Sequence, residues 1–295
     1  MIPCRFYYLI YSAYNTCIIE RRVDCMLSQL FNTKPLLDPS SRDWILDTFA
    51  WAIKEFEAEF FVKNSQLILP TNQFYPGSVS SITEMAQTVF DKTVEYAGMQ
   101  HWPLVLIAPE QFLSNPAYKQ FPKLMVNGAY RAQSSAANII VSNDYSENVS
   151  NNIYLSFNPQ QINQPQDLVA SFAQTLASIL VIQKSTLPPG GKEFLPQAID
   201  VIAIMMGFGV MFANTAYQFK GGCGSCYNKM ANRDVALPEL EATYCLAVFA
   251  KLKDIKPSII TAQLKSHLRS DFKRAYKELN AEFKKSENQH LISFK

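Results

Sequence analysis

Apolar positions in this chain first fall into a clear rhythm over LDPSSRDWILDTFAWAIKEFEAEFF, where Trp44, Thr48, Phe49, Ala52, Phe56 and Phe60 recur at helical spacing. Asp38 or Ser40 can cap that helix, and Pro39 suits its first turn. SQLILP, residues 65–70, then reads as a short buried strand ended by Pro70, and Phe74 to Gly77 as a turn. A second helix follows in SITEMAQTVFDKTVEYAGM, with Ile82, Met85, Val89, Phe90 and Ala97 inward and Gly98 as its stop. Three further runs, Pro103 to Pro109, Asn138 to Asn143 and Asn152 to Asn158, are rich in β-branched and aromatic residues and bounded by Pro or Asn, so they read as strands.

After Asn158 only helical patterns remain, near residues 165–183, 194–218, 236–253, 256–268 and 269–286. The last two carry Leu264, Leu268, Phe272, Tyr276, Leu279 and Phe283 as an apolar stripe, with Lys265, Arg269, Lys273 and Lys277 outside. Strands and helices therefore segregate, which predicts an α+β fold: a small mixed α/β sheet region over residues 26–158, then a helical lobe over 159–295, in one domain. Residues 1–25 stand apart as an extension upstream of Met26.

Composition narrows the function more than the fold. The 295 residues are 48% hydrophobic, enough for a large core, and the net charge of +2 argues against a dedicated nucleic-acid binder. Local charge is higher from Lys251 onward, with eleven Lys or Arg against five Asp or Glu, and the helical stripe makes that a solvated face. Six cysteines, of which only Cys223 and Cys226 are closely spaced, make no disulfide framework and suit a reducing compartment, which points to the cytoplasm. The longest apolar run, Ala198 to Ala213, contains Asp200 and two glycines and falls short of the roughly 18 to 20 residues a membrane span needs. No membrane partner is expected.

Candidate chemistry centres on Asp167 to Val181, DLVASFAQTLASILV. Asp167, Ser171, Gln174 and Ser178 form a polar stripe, opposed by Leu168, Phe172, Leu176 and Ile179. Gln174 and Ser178 hold the i and i+4 positions that two histidines occupy in H-E-x-x-H, where both imidazoles reach one zinc and the glutamate acts as base. Gln, Thr and Ser do none of this, so spacing alone describes an ordinary amphipathic helix. In order, LVASFAQTLASIL (168–180), AIDVIAIMMGFGVMFANTAY (198–217) and ALPELEATYCLAVFAKL (236–252) resemble an uncharacterised group of bacterial zincin-like proteins. The G-F-G and A-N positions, Gly207, Phe208, Gly209, Ala213 and Asn214, carry most of the likeness. The resemblance implies a zincin-like fold with a degenerate motif: His, Glu and His align with Gln174, Thr175 and Ser178, while one acidic position is kept as Asp200.

A lone carboxylate in an apolar helix needs partners. Backbone amides, Gln174 or Thr175 are the candidates for Asp200. Gly207 and Gly209, each costing about 1 kcal/mol in a helix interior, predict close helix–helix packing. Elsewhere, Cys223 and Cys226 in KGGCGSCYNK form a C-x-x-C that suits half a zinc site, with Cys245, His101, His267 or His290 as further donors, or a redox pair. Cys245 itself sits in an apolar context that predicts core. LPPGGKEF (187–194) lacks the spacing of a phosphate loop and reads as a connection between helices. The functional expectation is a non-catalytic, zincin-like binding or regulatory module with an unidentified protein partner, no catalytic residues and no cofactor. Its alternatives are a zinc-binding or redox protein using Cys223 and Cys226, or a purely structural interaction protein.

Overall fold

A computed structural model describes residues 35–77, 81–126, 128–133, 139–141, 152–216 and 232–293. Helix α1, Pro39–Glu55, starts where Asp38 accepts the Ser41 amide at 3.0 Å, and it buries Thr48, Phe49 and Ala52 as the periodicity predicts. It ends at Phe56, and Glu57 turns the chain with φ 67° into the short α2, Ala58–Lys63. Helix α3, Ile82–Ala97, is capped by Ser81 and closed by Gly98 at φ 72°. Gly98 is doubly required, since an added Cβ would meet the Phe60 ring at 2.3 Å. Ile82, expected inward, is instead 53% exposed in the capped first turn.

The sheet region is smaller than the sequence suggests. Strand β1, Leu104–Leu106, pairs in parallel with β4, Ile153–Leu155, setting Leu104 against Ile153. Strand β2, Leu124–Val126, pairs antiparallel with β3, Ile139–Val141, as a separate two-stranded sheet. The three later expected strands each shrink to a three-residue ladder, and the end of the run to Pro109 yields instead to helix α4, Pro109–Ser114. The expected strand at 65–70 does not form. That segment lies extended without a strand partner, and its Ile68 amide donates to the carbonyl of Gly207 at 3.0 Å.

Helices dominate the rest: α5 (Pro165–Lys184), α6 (Leu195–Ala203), α7 (Gly209–Thr215), α8 (Glu239–Leu252), α9 (Pro257–Gln263) and α10 (Leu268–Ser293). The expected single helix over 194–218 is broken by a π-turn, Ile204–Phe208, in which Gly207 takes φ 115°. A Cβ there would stand 2.1 Å from the Gln66 carbonyl oxygen. Gly207 therefore admits an extended chain rather than a helix. Gly209 does serve helix–helix packing, facing Leu246 of α8 at 2.8 Å from an ideal Cβ.

One apolar cluster runs from α1 through α10 and joins both parts of the chain, with Phe90 of α3 edge-on to Phe172 of α5 at 5.2 Å. Helix α5 packs on α3, α6 and α7, and α8 is held between α7 and α10. Two stretches, Pro165–Lys184 and Gly191–Thr215, have the length and apolar character of a membrane span, contrary to the sequence expectation. Their hydropathy is accounted for by this core: 56% and 72% of their most apolar windows are buried in the protein.

Candidate functional site

Two members of the α5 polar stripe, Asp167 and Gln174, meet the segment Arg233–Leu237 that leads into α8, and Gln174 also meets Asp200 of α6, whereas Ser171 bonds Gln161. Asp200 is fully buried. Its Oδ1 accepts from Gln174 Nε2 at 2.8 Å, and its Oδ2 accepts from Arg233 Nη1 at 3.2 Å and from the amides of Ala236 and Leu237 at 3.3 and 3.0 Å. Those four donors answer the demand of a carboxylate in an apolar helix. Thr175 takes no part: its hydroxyl bonds the Ser171 carbonyl one turn back, at 2.9 Å.

Arg233 is the member that the sequence reading did not single out. It is 4% exposed, and each of its three guanidinium nitrogens has an acceptor, Nη2 the Phe212 carbonyl at 3.5 Å. Nε donates to Thr215 Oγ1 at 2.8 Å, Nη1 also reaches the Asp234 carbonyl at 3.1 Å, and the plane lies 4.3 Å over the Phe212 ring. Its backbone amide donates to Asp167 Oδ1 at 3.1 Å, in the first turn of α5. Gln174 Nε2 closes the circuit on the Asp234 carbonyl at 2.9 Å. The signal available beforehand was electrostatic: a buried Asp200 calls for a cation, and Lys220, Lys229 and Arg233 are the first ones downstream.

The local fold explains why these groups meet. The π-turn at 204–208 redirects the chain so that α7 ends with Phe212 and Thr215 beside Arg233. Asn214 braces the same end. Its amide donates to Gln166 Oε1 at 2.8 Å and to the Gln263 carbonyl at 3.0 Å, and its Oδ1 accepts the Lys265 amide at 3.0 Å. The G-F-G and A-N residues are thus a bend and a brace.

Burial raises the carboxyl pKa of Asp200 above the ordinary range, opposed first by the charge of Arg233 and then by the Leu237 amide. Asp167 is raised in the same way, with the Arg233 amide and charge opposing. The donor set does not fit zinc. Gln174 turns its amide nitrogen, which has no lone pair to give, toward Asp200, and both Asp200 oxygens are engaged. Among the described residues no group of three His, Cys, Asp or Glu stands together as a metal cluster.

Cys223 and Cys226 lie outside the described residues. Of the further donors considered for them, Cys245 is enclosed in the core, where burial pushes its thiol well above the usual range. His101 bonds the Ala129 carbonyl at 3.1 Å, and His267 meets Glu239 at 2.9 Å. The 187–194 loop turns on Pro188 and Gly191, whose carbonyl and amide bond at 2.9 Å, and it is fastened to α1 by Trp44 Nε1 on the Pro189 carbonyl. In comparisons with known proteins, the chain matches no protein-family model, no curated protein and no solved structure.

Proposed function

We propose that the chain is a non-catalytic, zincin-like protein acting as a binding or regulatory module in the cytoplasm, through a protein partner and without nucleic acid, membrane or cofactor. One observation carries the reading: Arg233 supplies to Asp200, at the helix pair where the resemblance puts a metal site, the positive charge that a metal would otherwise bring. A guanidinium is permanently charged and offers neither an open coordination position nor a bound water, so such a centre holds the fold and activates nothing. Gln174, Thr175 and Ser178 fit the same reading, since none supplies an imidazole or a general base.

The test is metal analysis of purified full-length chain beside Gln174→Ala and Cys223→Ala variants. The reading expects no stoichiometric zinc in any of them. Zinc abolished by Gln174→Ala would overturn it outright. Zinc that survives Gln174→Ala but disappears in Cys223→Ala would move the chemistry to the C-x-x-C pair.

A further inference from the structure

The chain connecting β2 to β3 returns along the C-terminal end of α3, and four successive residues are fastened there. The Ala129 carbonyl accepts from His101 Nε2 at 3.1 Å, and the Tyr130 carbonyl from Trp102 Nε1 at 2.9 Å. Arg131 Nε donates to the Ala97 carbonyl at 2.8 Å, and the Ala132 amide to the Gly98 carbonyl at 2.9 Å. The Tyr130 amide adds a bond to Glu57 at 3.0 Å. At the opposite end of the hairpin, Leu124 and Lys123 of the β2 side are tied to Gln183 and the last carbonyls of α5. The hairpin is therefore clamped at both ends.

Of the groups in this clamp, His101 is the one whose ordinary titration lies near neutral pH. Bonding a carbonyl through Nε2 fixes the proton on that nitrogen and leaves Nδ1 bare. Nδ1 is buried and has no hydrogen-bond partner among the described residues. A second proton would sit on Nδ1 facing no acceptor, in a half-buried ring packed beside Trp102. Of the other charged groups in the clamp, Glu57 accepts the Tyr130 amide, Arg131 bonds Ala97 and Ser65 while its Nη1 has no partner among the described residues, and Lys184 of α5 lies over the Tyr130 ring.

We propose that His101 is an acid-sensitive latch, whose protonation drives the ring from its seat and frees the 129–132 connection from the end of α3. Burial, opposed by the Ala129 carbonyl, holds the imidazole below its ordinary pKa, so the latch is closed at neutral pH and opens on the acid side. Because opening takes up one proton, the open population grows by up to about tenfold per pH unit between the ordinary imidazole value of about 6.5 and the lower value of the seated ring, and levels off below that.

Amide hydrogen exchange, corrected for intrinsic rates, tests this on the full chain between about pH 5 and pH 8. Protection at Tyr130 and Ala132 is expected to fall by up to about tenfold per unit in that window. In His101→Gln, which keeps a donor for Ala129 but cannot titrate, it is expected to stay flat. An unchanged acid slope in the variant, or no slope in the wild type, would overturn the latch. If the variant fails to fold, the ring resonances of His101 in the wild-type protein decide alone. Titration at or above ~6.5 would sink the proposal, and titration below it with concurrent loss of the Trp102 indole bond would sustain it.

Discussion

Asp200 is tolerated in the core because four donors and one full positive charge surround it, and that arrangement makes sharp demands on single residues. Arg233→Met removes the counter-charge and should cost about 3 to 5 kcal/mol in urea unfolding, since it strands a buried carboxylate. Asp200→Asn combined with Arg233→Met should cost less than the two separate losses added together. The sign with pH follows from linkage. A carboxyl whose pKa is raised in the folded state adds stability at low pH that is lost as pH climbs through the folded value. Arg233→Met raises Asp200 further, so its deficit should widen between about pH 5 and about pH 8; a deficit that shrinks would contradict the pairing. Backbone demands are as specific. Gly207→Ala puts a Cβ against a backbone oxygen at positive φ and should cost about 3 kcal/mol or more, whereas Gly209→Ala meets the movable end of Leu246 and should cost less. Arg233 itself was not read from the sequence: Asp200 was expected to need backbone amides, Gln174 or Thr175, and amides and Gln174 are among its partners, but the cation comes from 33 residues downstream.

Among secondary-structure elements, those with long apolar stripes were readable and those made by distant pairing were not. Expected helices at 165–183 and 236–253 appear as Pro165–Lys184 and Glu239–Leu252, because a dozen or more residues repeat one face. Strand β2 escaped notice because three residues beside Pro122 and Lys123 carry no alternation worth the name. The 65–70 segment looks like a strand because it is apolar, but its Ile68 amide is taken by the Gly207 carbonyl. The π-turn that receives it left only two glycines as a trace. Gln183 of helix α5 holds the start of strand β2, accepting the Leu124 amide at 2.8 Å and donating to the Pro122 carbonyl at 2.7 Å, beside the bond of Lys123 Nζ to the Gln183 carbonyl. Gln183→Leu leaves both groups unsatisfied and should lower stability by about 2 kcal/mol, with faster exchange at the Leu124 amide as its local signature. Unaltered exchange at Leu124 would mean that the hairpin is held by something else.

Across the whole molecule, the helical lobe and the small sheets share one core, and the polar network at Asp200 sits where α5, α6, α7 and the lead-in to α8 converge. An α+β arrangement was legible from the segregation of patterns, but the mostly helical content was not, because the expected strands shorten to three-residue ladders or do not form; the finer zincin-like reading stands on the Asp200–Arg233 proposal. Its central claim is that Arg233 holds the place of the metal charge. Zinc titration of two restored chains tests this most directly: Gln174→His, Thr175→Glu, Ser178→His with Arg233 kept, and the same triple change with Arg233→Ala. The account predicts stoichiometric zinc in the second and none in the first. Equal zinc in both, or none in a folded second variant, would contradict it.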